Sequence, residues 1–241
     1  MNGTKRSFPA CRLLVLGFFA ALAVAGCATA PPQAPRDLVA TNRPFAAEIN
    51  AFADADHDNP PPTNAIVFVG SSSIRLWKTL AQDFPQHQVI NRGFGGSQII
   101  HSVNYADRIV IPYQPRQIVM YAGGNDINAG KSAHEALADF QAFVRKVRKT
   151  LPDVKISYIS IAPNPARWSQ VGRVRQANNL IRNYARYDGR IEFIDVFPHM
   201  LGKDGQPRPD IFVADRLHMN AKGYELWKQI VGGHLDQAPS Q

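Results

Sequence analysis

The apolar stretch AIVFV at residues 65–69, followed at once by GSSS at residues 70–73, predicts the fold of this chain. An uninterrupted apolar run of this length is typical of a strand that is buried on both faces. Four later runs have the same character: QVIN (88–91), QIVMYA (117–122), ISYISI (156–161) and IEFIDV (191–196). Helical patterns separate these runs, so we expect a parallel sheet covered by helices on both sides.

Four helical segments are predicted over about residues 43–55, 132–151, 171–186 and from 220 onward. The second has the clearest signals, because Ser132 and Glu135 have the spacing of a capping box. Pro152 ends that helix, since proline lacks the backbone donor that a helix interior requires. Asn220 is the predicted N-cap of the last helix.

Four polar segments carry the candidate chemistry of the chain. They are GSSS (70–73), GFGG (93–96), GGND (123–126) and DRLH (215–218). The first three follow predicted strands, and the fourth precedes the last helix. Because ligands of parallel α/β sheets bind beyond the carboxyl ends of the strands, we expect these segments to meet in one site.

The first two segments have functional and structural interpretations. A serine at a helix N-terminus can act as a nucleophile, because the helix dipole stabilises a developing alkoxide, or it can simply cap the helix. The glycines at residues 93–96 can present bare backbone N–H groups. A dinucleotide loop is disfavoured, since Gln98 breaks the G-x-G-x-x-G pattern. The serines also lack the G-x-S-x-G spacing of the α/β-hydrolases.

The other two segments can supply a hydrogen-bond donor and a base. The side-chain amide of Asn125 can donate to an oxyanion, although asparagine and aspartate also make local bonds in turns. Asp215 and His218 lie three residues apart, so both side chains can share one face of a tight turn. A histidine that acts as a base needs an acceptor on its second ring nitrogen, and Asp215 can provide it.

In this order, the four segments resemble those of the SGNH hydrolases, the GDSL-type esterases and lipases, over about residues 62–235. The resemblance implies a flavodoxin-like, three-layer α/β/α fold with a five-stranded, mostly parallel sheet. It implies the catalytic residues Ser72, Asp215 and His218, and an oxyanion hole formed by Ser72, Gly96 and Asn125. It implies neither a metal nor a cofactor.

Two positions depart from the family pattern. Ser71 stands where the family usually has aspartate, and Ser97 stands where aspartate often follows the glycine. Because three serines are consecutive, the choice of Ser72 depends on the alignment, and Ser71 and Ser73 are the alternatives. The predicted function is hydrolysis of carboxylic esters, of short acyl or O-acetyl groups. The alternative is a non-catalytic envelope lipoprotein that binds carbohydrate or lipid.

The N-terminal residues predict a targeting signal. Its cationic residues are Lys5, Arg6 and Arg12. An uncharged apolar run over residues 13–25 follows, too short for a comfortable membrane span and long enough for a signal peptide. The run ends in VAGC at residues 24–27, which resembles the lipobox of bacterial lipoproteins. The resemblance implies cleavage before Cys27 and lipid attached to that residue.

The predicted organisation is a signal peptide over residues 1–26, a flexible tether over 27–42 and a hydrolase domain over 43–237. The alternative for the N-terminus is an uncleaved anchor over about residues 13–30. Ala28 follows the cysteine, and in a Gram-negative lipoprotein this implies sorting to the outer membrane. We therefore expect an exported protein that is held at the cell envelope by a lipid anchor.

Composition limits the other function classes. Cys11 lies in the predicted signal peptide and Cys27 at its predicted cleavage site, so the domain that follows has no cysteine, and a disulfide or a thiolate metal site is excluded there. Loss of the three cationic signal residues lowers the net charge from +8 to +5. The remaining basic residues are spread over predicted helix surfaces, where they form a solvated face or, alternatively, attract an acidic envelope polymer or lipid head group. A nucleic-acid partner is not expected of an exported lipoprotein.

Two further expectations concern charged side chains. Arg92 and Arg167 are expected either to approach the site and favour an anionic substrate or to be solvated at the surface. Asp54, Asp56 and Asp58 mimic the start of a calcium-binding loop, but the glycine that such a loop needs is missing. We interpret the three aspartates as a solvated cluster.

Overall fold

The computed structural model of the 241-residue chain describes residues 1–3, 40 and 42–237. The chain divides into two units after Ala30, and every element described below belongs to the second. The predicted lipidation site Cys27 and nearly all of the predicted signal peptide and tether lie outside the described residues. No helix within the described part of the chain is long and apolar enough to cross a membrane.

The sheet has five strands: β1 (Ile66–Gly70), β2 (Val89–Gly93), β3 (Gln117–Tyr121), β4 (Lys155–Ile159) and β5 (Ile191–Ile194). Their order across the sheet is β2-β1-β3-β4-β5, and every neighbouring pair is parallel. This is the strand order of flavodoxin-like folds. The predicted five-stranded α/β sheet is confirmed, and it is parallel throughout.

The helices are α1 (Ala46–Asp58), α2 (Ser72–Arg75), α3 (Leu80–Asp83), α4 (Ile99–Ile109), α5 (Gly124–Asn128), α6 (Ala133–Arg148), α7 (Val171–Arg186) and α8 (Ala221–Gly232). The capping box of α6 is present, with Glu135 N donating to Ser132 Oγ and Ser132 N donating to Glu135 Oε2. Asn220 caps α8 through its side-chain oxygen. Helix α1 ends before Asn59, whose helical conformation is disfavoured by the following Pro60.

The two faces of the sheet are covered by different helices. Val67 and Val69 pack against the side that carries α1, α4, α6 and α7, whereas Ile66 and Phe68 face α2, α3 and α8. Both clusters are closed to solvent, and Trp227 of α8 is fully buried in the second. The continuous apolar runs in the sequence follow from this burial on both faces.

The strand register brings three strand ends into one line. Gly70, the last residue of β1, is paired with Gly93 of β2 and with Tyr121 of β3. Only glycine fits at position 70, because its φ is +138° and a Cβ there would lie 1.9 Å from the carbonyl oxygen of Tyr121. The segments that follow these strands therefore leave the sheet side by side.

The aspartates of α1 do not form the predicted solvated cluster. Asp56 is only 8% exposed, and its Oδ1 accepts a hydrogen bond from Arg92 Nη2 in a buried ion pair. Its Oδ2 accepts from the hydroxyl of Tyr113 at 2.5 Å. Asp54 and Asp58 are exposed. The described residues include no group of three or more His, Cys, Asp or Glu side chains that could hold a metal.

The same pair corrects the expectation for Arg92. Its guanidinium lies between the rings of Phe52 and Tyr113, with its carbon 5.0 Å and 4.7 Å from their centroids. With Asp56 as its counter-charge, this arginine fastens α1 to β2. Arg92 therefore neither lines the cleft beside Ser72 nor lies solvated at the surface, so both alternatives given for it are wrong.

We expect Asp56→Asn to lower the free energy of unfolding by about 3–5 kcal/mol, because it leaves the Arg92 guanidinium buried without a counter-charge. Urea unfolding followed by circular dichroism measures the change. Asp58→Asn is the matched control, an exposed position of the same helix where a change within about 0.5 kcal/mol is expected. Equal stability of the two variants would contradict the structural role of the pair.

Candidate active site

Ser72 is the first residue of α2, and Ser71 alone separates it from the end of β1. Its Oγ lies 2.9 Å from Nε2 of His218, which is 146 residues away in the sequence. Ser71, not Ser72, occupies the N-cap position, and the Ser71 side chain makes no capping bond. The hydroxyl of Ser72 is therefore available to His218 rather than being used by the helix.

His218 is held by Asp215, as the sequence spacing predicts. Its Nδ1 lies 2.6 Å from Oδ2 of Asp215. The other carboxylate oxygen, Oδ1, accepts from the backbone N–H groups of Leu217 and His218, each at 2.9 Å. These bonds, led by that from His218 N–H, lower the pKa of Asp215 to about 2. With Nδ1 donating to Asp215, the lone pair of the neutral imidazole is on Nε2, facing Ser72.

The turn that presents His218 is braced by backbone contacts. Arg216 has a left-handed conformation with φ of 60°. Its carbonyl oxygen accepts from the N–H of Ala166 at 3.1 Å, and its own N–H donates to the carbonyl of Val213 at 2.9 Å. The turn is thus attached to the segment that follows β4.

The glycine loop after β2 presents a backbone donor at Gly96. Its φ is +65°, and a Cβ there would meet open space, so the glycine is required by backbone conformation rather than by crowding. The neighbouring Gly95 N–H donates to Oε1 of Glu48 on α1 at 2.8 Å. Among the described residues, the N–H groups of Gly96 and Ser72 have no hydrogen-bond partner.

Asn125 of α5 reaches across to the glycine loop. Its Nδ2 donates to the carbonyl oxygen of Ser97 at 3.0 Å, which leaves the second amide N–H available. Ser97 itself is fully buried, and its Oγ donates to the carbonyl oxygens of Gly70 and Phe94. The serine in place of the family aspartate therefore ties together the end of β1, the glycine loop and Asn125.

Asp126 clamps the same loop from the neighbouring position. It is fully buried, accepts from the N–H of Ile99 at the start of α4, and pairs with Lys131 at 3.1 Å. Burial raises the pKa of this carboxyl, and Lys131 opposes the shift. Asn125 and Asp126 thus make contacts with a different loop instead of only the local turn bonds that were the alternative.

A narrow cleft opens beside Ser72 and His218. Its volume is about 40 Å³, which is space for about three water molecules. The lining is about equally polar and apolar, and its apolar side chains include Ile161, Pro163, Trp168, Phe212, Leu217 and Met219. Sequence reasoning missed these side chains, because they come from separate loops without a shared period. Arg167 also lines the cleft, so this arginine does approach the site.

Comparison with known sequences places the chain in a class of ester-hydrolysing enzymes. A sequence model of the GDSL-like Lipase/Acylhydrolase family matches residues 68–226. The chain belongs to this family, and the predicted resemblance is confirmed. The search of curated proteins finds no match.

Solved structures share the fold at low sequence identity. A candidate platelet activating factor from Streptococcus pneumonia is 22% identical with a TM-score of 0.71, covering 79% of this chain and 92% of that one. A GDSL-like lipase from Bacteroides thetaiotaomicron is 19% identical with a TM-score of 0.66, covering 78% and 97%. An acetyl xylan esterase is 21% identical with a TM-score of 0.60, covering 71% and 99%.

Proposed function

We propose that this chain is a serine esterase that hydrolyses carboxylic esters of short acyl groups through an acyl-enzyme. The proposal rests on one observation, the 2.9 Å contact between Ser72 Oγ and Nε2 of a histidine whose other nitrogen is held by Asp215. A nucleophile, a base and an orienting carboxylate within hydrogen-bond reach are the parts that serine acyl transfer requires.

In the proposed mechanism, Oγ of Ser72 attacks the ester carbonyl carbon while His218 Nε2 takes the serine proton. The bond to the alcohol oxygen then breaks, and His218 passes the proton to the leaving alcohol. Water attacks the acyl-serine with His218 again as base, which releases the acid and restores Ser72. Asp215 stays ionised throughout and stabilises the imidazolium.

The negative charge that develops on the carbonyl oxygen needs donors that are already in place. Three candidates are the N–H of Ser72, the N–H of Gly96 and the second amide N–H of Asn125. The first two are unpartnered within the described part of the chain, and the third remains after Asn125 has bonded Ser97. We assign these groups to the oxyanion hole.

The small cleft supports a short acyl group, such as acetyl, over a long fatty acyl chain. A volume of about 40 Å³ beside the nucleophile leaves little room for more than a few heavy atoms. One structural relative is an acetyl xylan esterase, and this likeness favours an O-acetylated carbohydrate as the substrate of the present chain. Because a lipid anchor is predicted at Cys27, we propose that the substrate is an acylated carbohydrate or lipid of the cell envelope.

A fluorophosphonate probe and an ester panel together test the function. We expect the probe to label Ser72, identified by peptide mass spectrometry, because the activated serine attacks phosphorus as it attacks a carbonyl carbon. Released acid should be highest with p-nitrophenyl acetate and acetylated glycans, and should fall as the acyl chain lengthens.

The alternative of a carbohydrate- or lipid-binding protein predicts a different result. Folded protein that binds glycan, resists the probe and releases no acid from any ester would support the binding function and reject the esterase. A rise in rate with acyl length would instead reject the short-acyl preference and keep the esterase.

A further inference from the structure

Arg167 makes an unusual contact for an arginine beside an active site. It lies in the short 3-10 segment Pro165–Gln170 that follows β4. Its Nη1 donates to Oδ1 of Asn125 at 3.0 Å and to the carbonyl oxygen of Gly124 at 3.2 Å. Both acceptors belong to the segment that carries the proposed oxyanion donor Asn125. The guanidinium therefore contacts this part of the candidate site rather than solvent alone.

The contact determines which way the amide of Asn125 faces. A side-chain amide carries one oxygen and one nitrogen, and rotation by half a turn about χ2 exchanges their positions. Here Arg167 occupies the oxygen, and the carbonyl oxygen of Ser97 accepts from the nitrogen. A flipped amide would place NH₂ against the guanidinium and oxygen against a carbonyl, so it is excluded by two repulsive contacts.

Arg167 has no carboxylate partner, because no Asp or Glu among the described residues forms an ion pair with its guanidinium within 4.0 Å. It is also the one charged side chain in the described lining of the cleft when His218 is neutral. Half-burial disfavours the charged form and lowers the pKa of the guanidinium. The positive charge of the guanidinium next to Oδ1 also polarises the Asn125 amide, which strengthens its N–H groups as donors.

The backbone holds Arg167 in place. Its own N–H donates to Oδ1 of Asn164 at 2.9 Å, which caps the 3-10 segment. The preceding Ala166 donates to the carbonyl of Arg216 in the turn that carries His218. One short segment therefore contacts both the base turn and the amide donor.

We propose that Arg167 is a positioning residue that holds the Asn125 amide with its free N–H toward the oxyanion. This inference rests on the proposed esterase function. It concerns a residue that acts through Asn125, in contrast to the expectation that Arg167 binds an anionic substrate directly.

A double-mutant cycle tests the proposal with the full chain and p-nitrophenyl acetate, a neutral ester. We expect Arg167→Met to lower kcat by about 10- to 100-fold with little change in KM. Asn125→Ala should lower kcat by about 10²- to 10³-fold. The double variant should be no slower than Asn125→Ala alone, because the arginine then has no amide to position. Arg167→Lys should recover part of the loss.

The matched control is Arg173→Met, which removes one exposed positive charge from the adjoining helix α7 and should keep kcat. The proposal would be overturned if the fold losses in kcat of the two single variants multiplied in the double variant, since Arg167 would then act independently of Asn125. It would also be overturned if Arg167→Met raised KM for a carboxylate-bearing ester alone and left kcat intact. Wild-type kcat in Asn125→Ala with Ser72 still labelled would reject both the amide donor and the role of Arg167. Absence of Ser72 labelling in wild type would reject the esterase function itself.

Discussion

Ser72→Ala is expected to lower kcat for p-nitrophenyl acetate by about 10⁴-fold or more, the loss that follows removal of a catalytic serine nucleophile. Without Oγ there is no atom at 2.9 Å from His218 Nε2 that can form the acyl-enzyme. Any residual rate would come from water attack assisted by the oxyanion donors. Release of p-nitrophenol under saturating substrate, in protein with an unchanged circular dichroism spectrum, measures the effect.

The neighbouring serines provide the controls for this result. Ser71→Ala and Ser73→Ala change equally small side chains in the same turn, and we expect each to keep kcat within about tenfold, as expected of substitutions that leave the nucleophile intact. Wild-type turnover by Ser72→Ala, with a large loss in either neighbour, would move the nucleophile to that neighbour. Wild-type turnover by all three variants would reject serine catalysis at this turn.

Asp215→Asn is expected to lower kcat near neutral pH by about 10⁴-fold, because the amide favours the wrong tautomer of His218. The asparagine oxygen can still accept from the N–H groups of Leu217 and His218. Its NH₂ group then faces Nδ1, which must become the acceptor, and the ring proton moves to Nε2. Nε2 can then no longer take the proton of Ser72.

The matched control is Asp210→Asn, a similarly exposed aspartate of the same region that is paired with Arg208 rather than with a histidine. It should keep the wild-type kcat. A loss of less than about tenfold in Asp215→Asn would show that His218 keeps its tautomer without the carboxylate.

The lowered pKa of Asp215 keeps this carboxyl ionised in mild acid. Because the pKa of about 2 lies below the ordinary 3.8, the stabilisation of the folded chain by the ionised carboxylate is complete above the ordinary value. This stabilisation is lost only as pH falls toward about 2. The pH profile of kcat/KM should therefore contain no protonation step of Asp215 above about pH 4. Protonation of the Asp215 carboxyl above that pH, followed by carbon NMR, would contradict the lowered pKa.

The parts of the fold that rest on local patterns were predictable from the sequence. The sheet was predicted because its strands are buried on both faces and read as apolar runs. The capping box of α6 and the N-cap at Asn220 were recognised because capping residues lie within three positions of the groups they satisfy. The polar segments could be gathered into one site because parallel strands end at the same edge, which the pairing of Gly70 with Gly93 and Tyr121 realises.

Contacts between distant elements could not be predicted. Nothing in the spacing of Asp54, Asp56 and Asp58 indicates that the middle carboxylate meets Arg92. Likewise, Arg167 could be suspected near the site, but its bond to Oδ1 of Asn125 depends on how a loop folds back over α5. Such pairs are determined by tertiary packing, for which a single sequence has no periodic signal.

Helix α1 lies outside the family match, yet it contacts the loop that carries Gly96. The family match starts at residue 68, and α1 ends ten positions earlier, at Asp58. A fragment cut at the family boundary would retain the proposed triad and every proposed oxyanion donor. It would lose Glu48, which holds Gly95 next to the donor Gly96, and Asp56, which neutralises Arg92. The family boundary therefore leaves out helix α1, which supports the glycine loop of the candidate site.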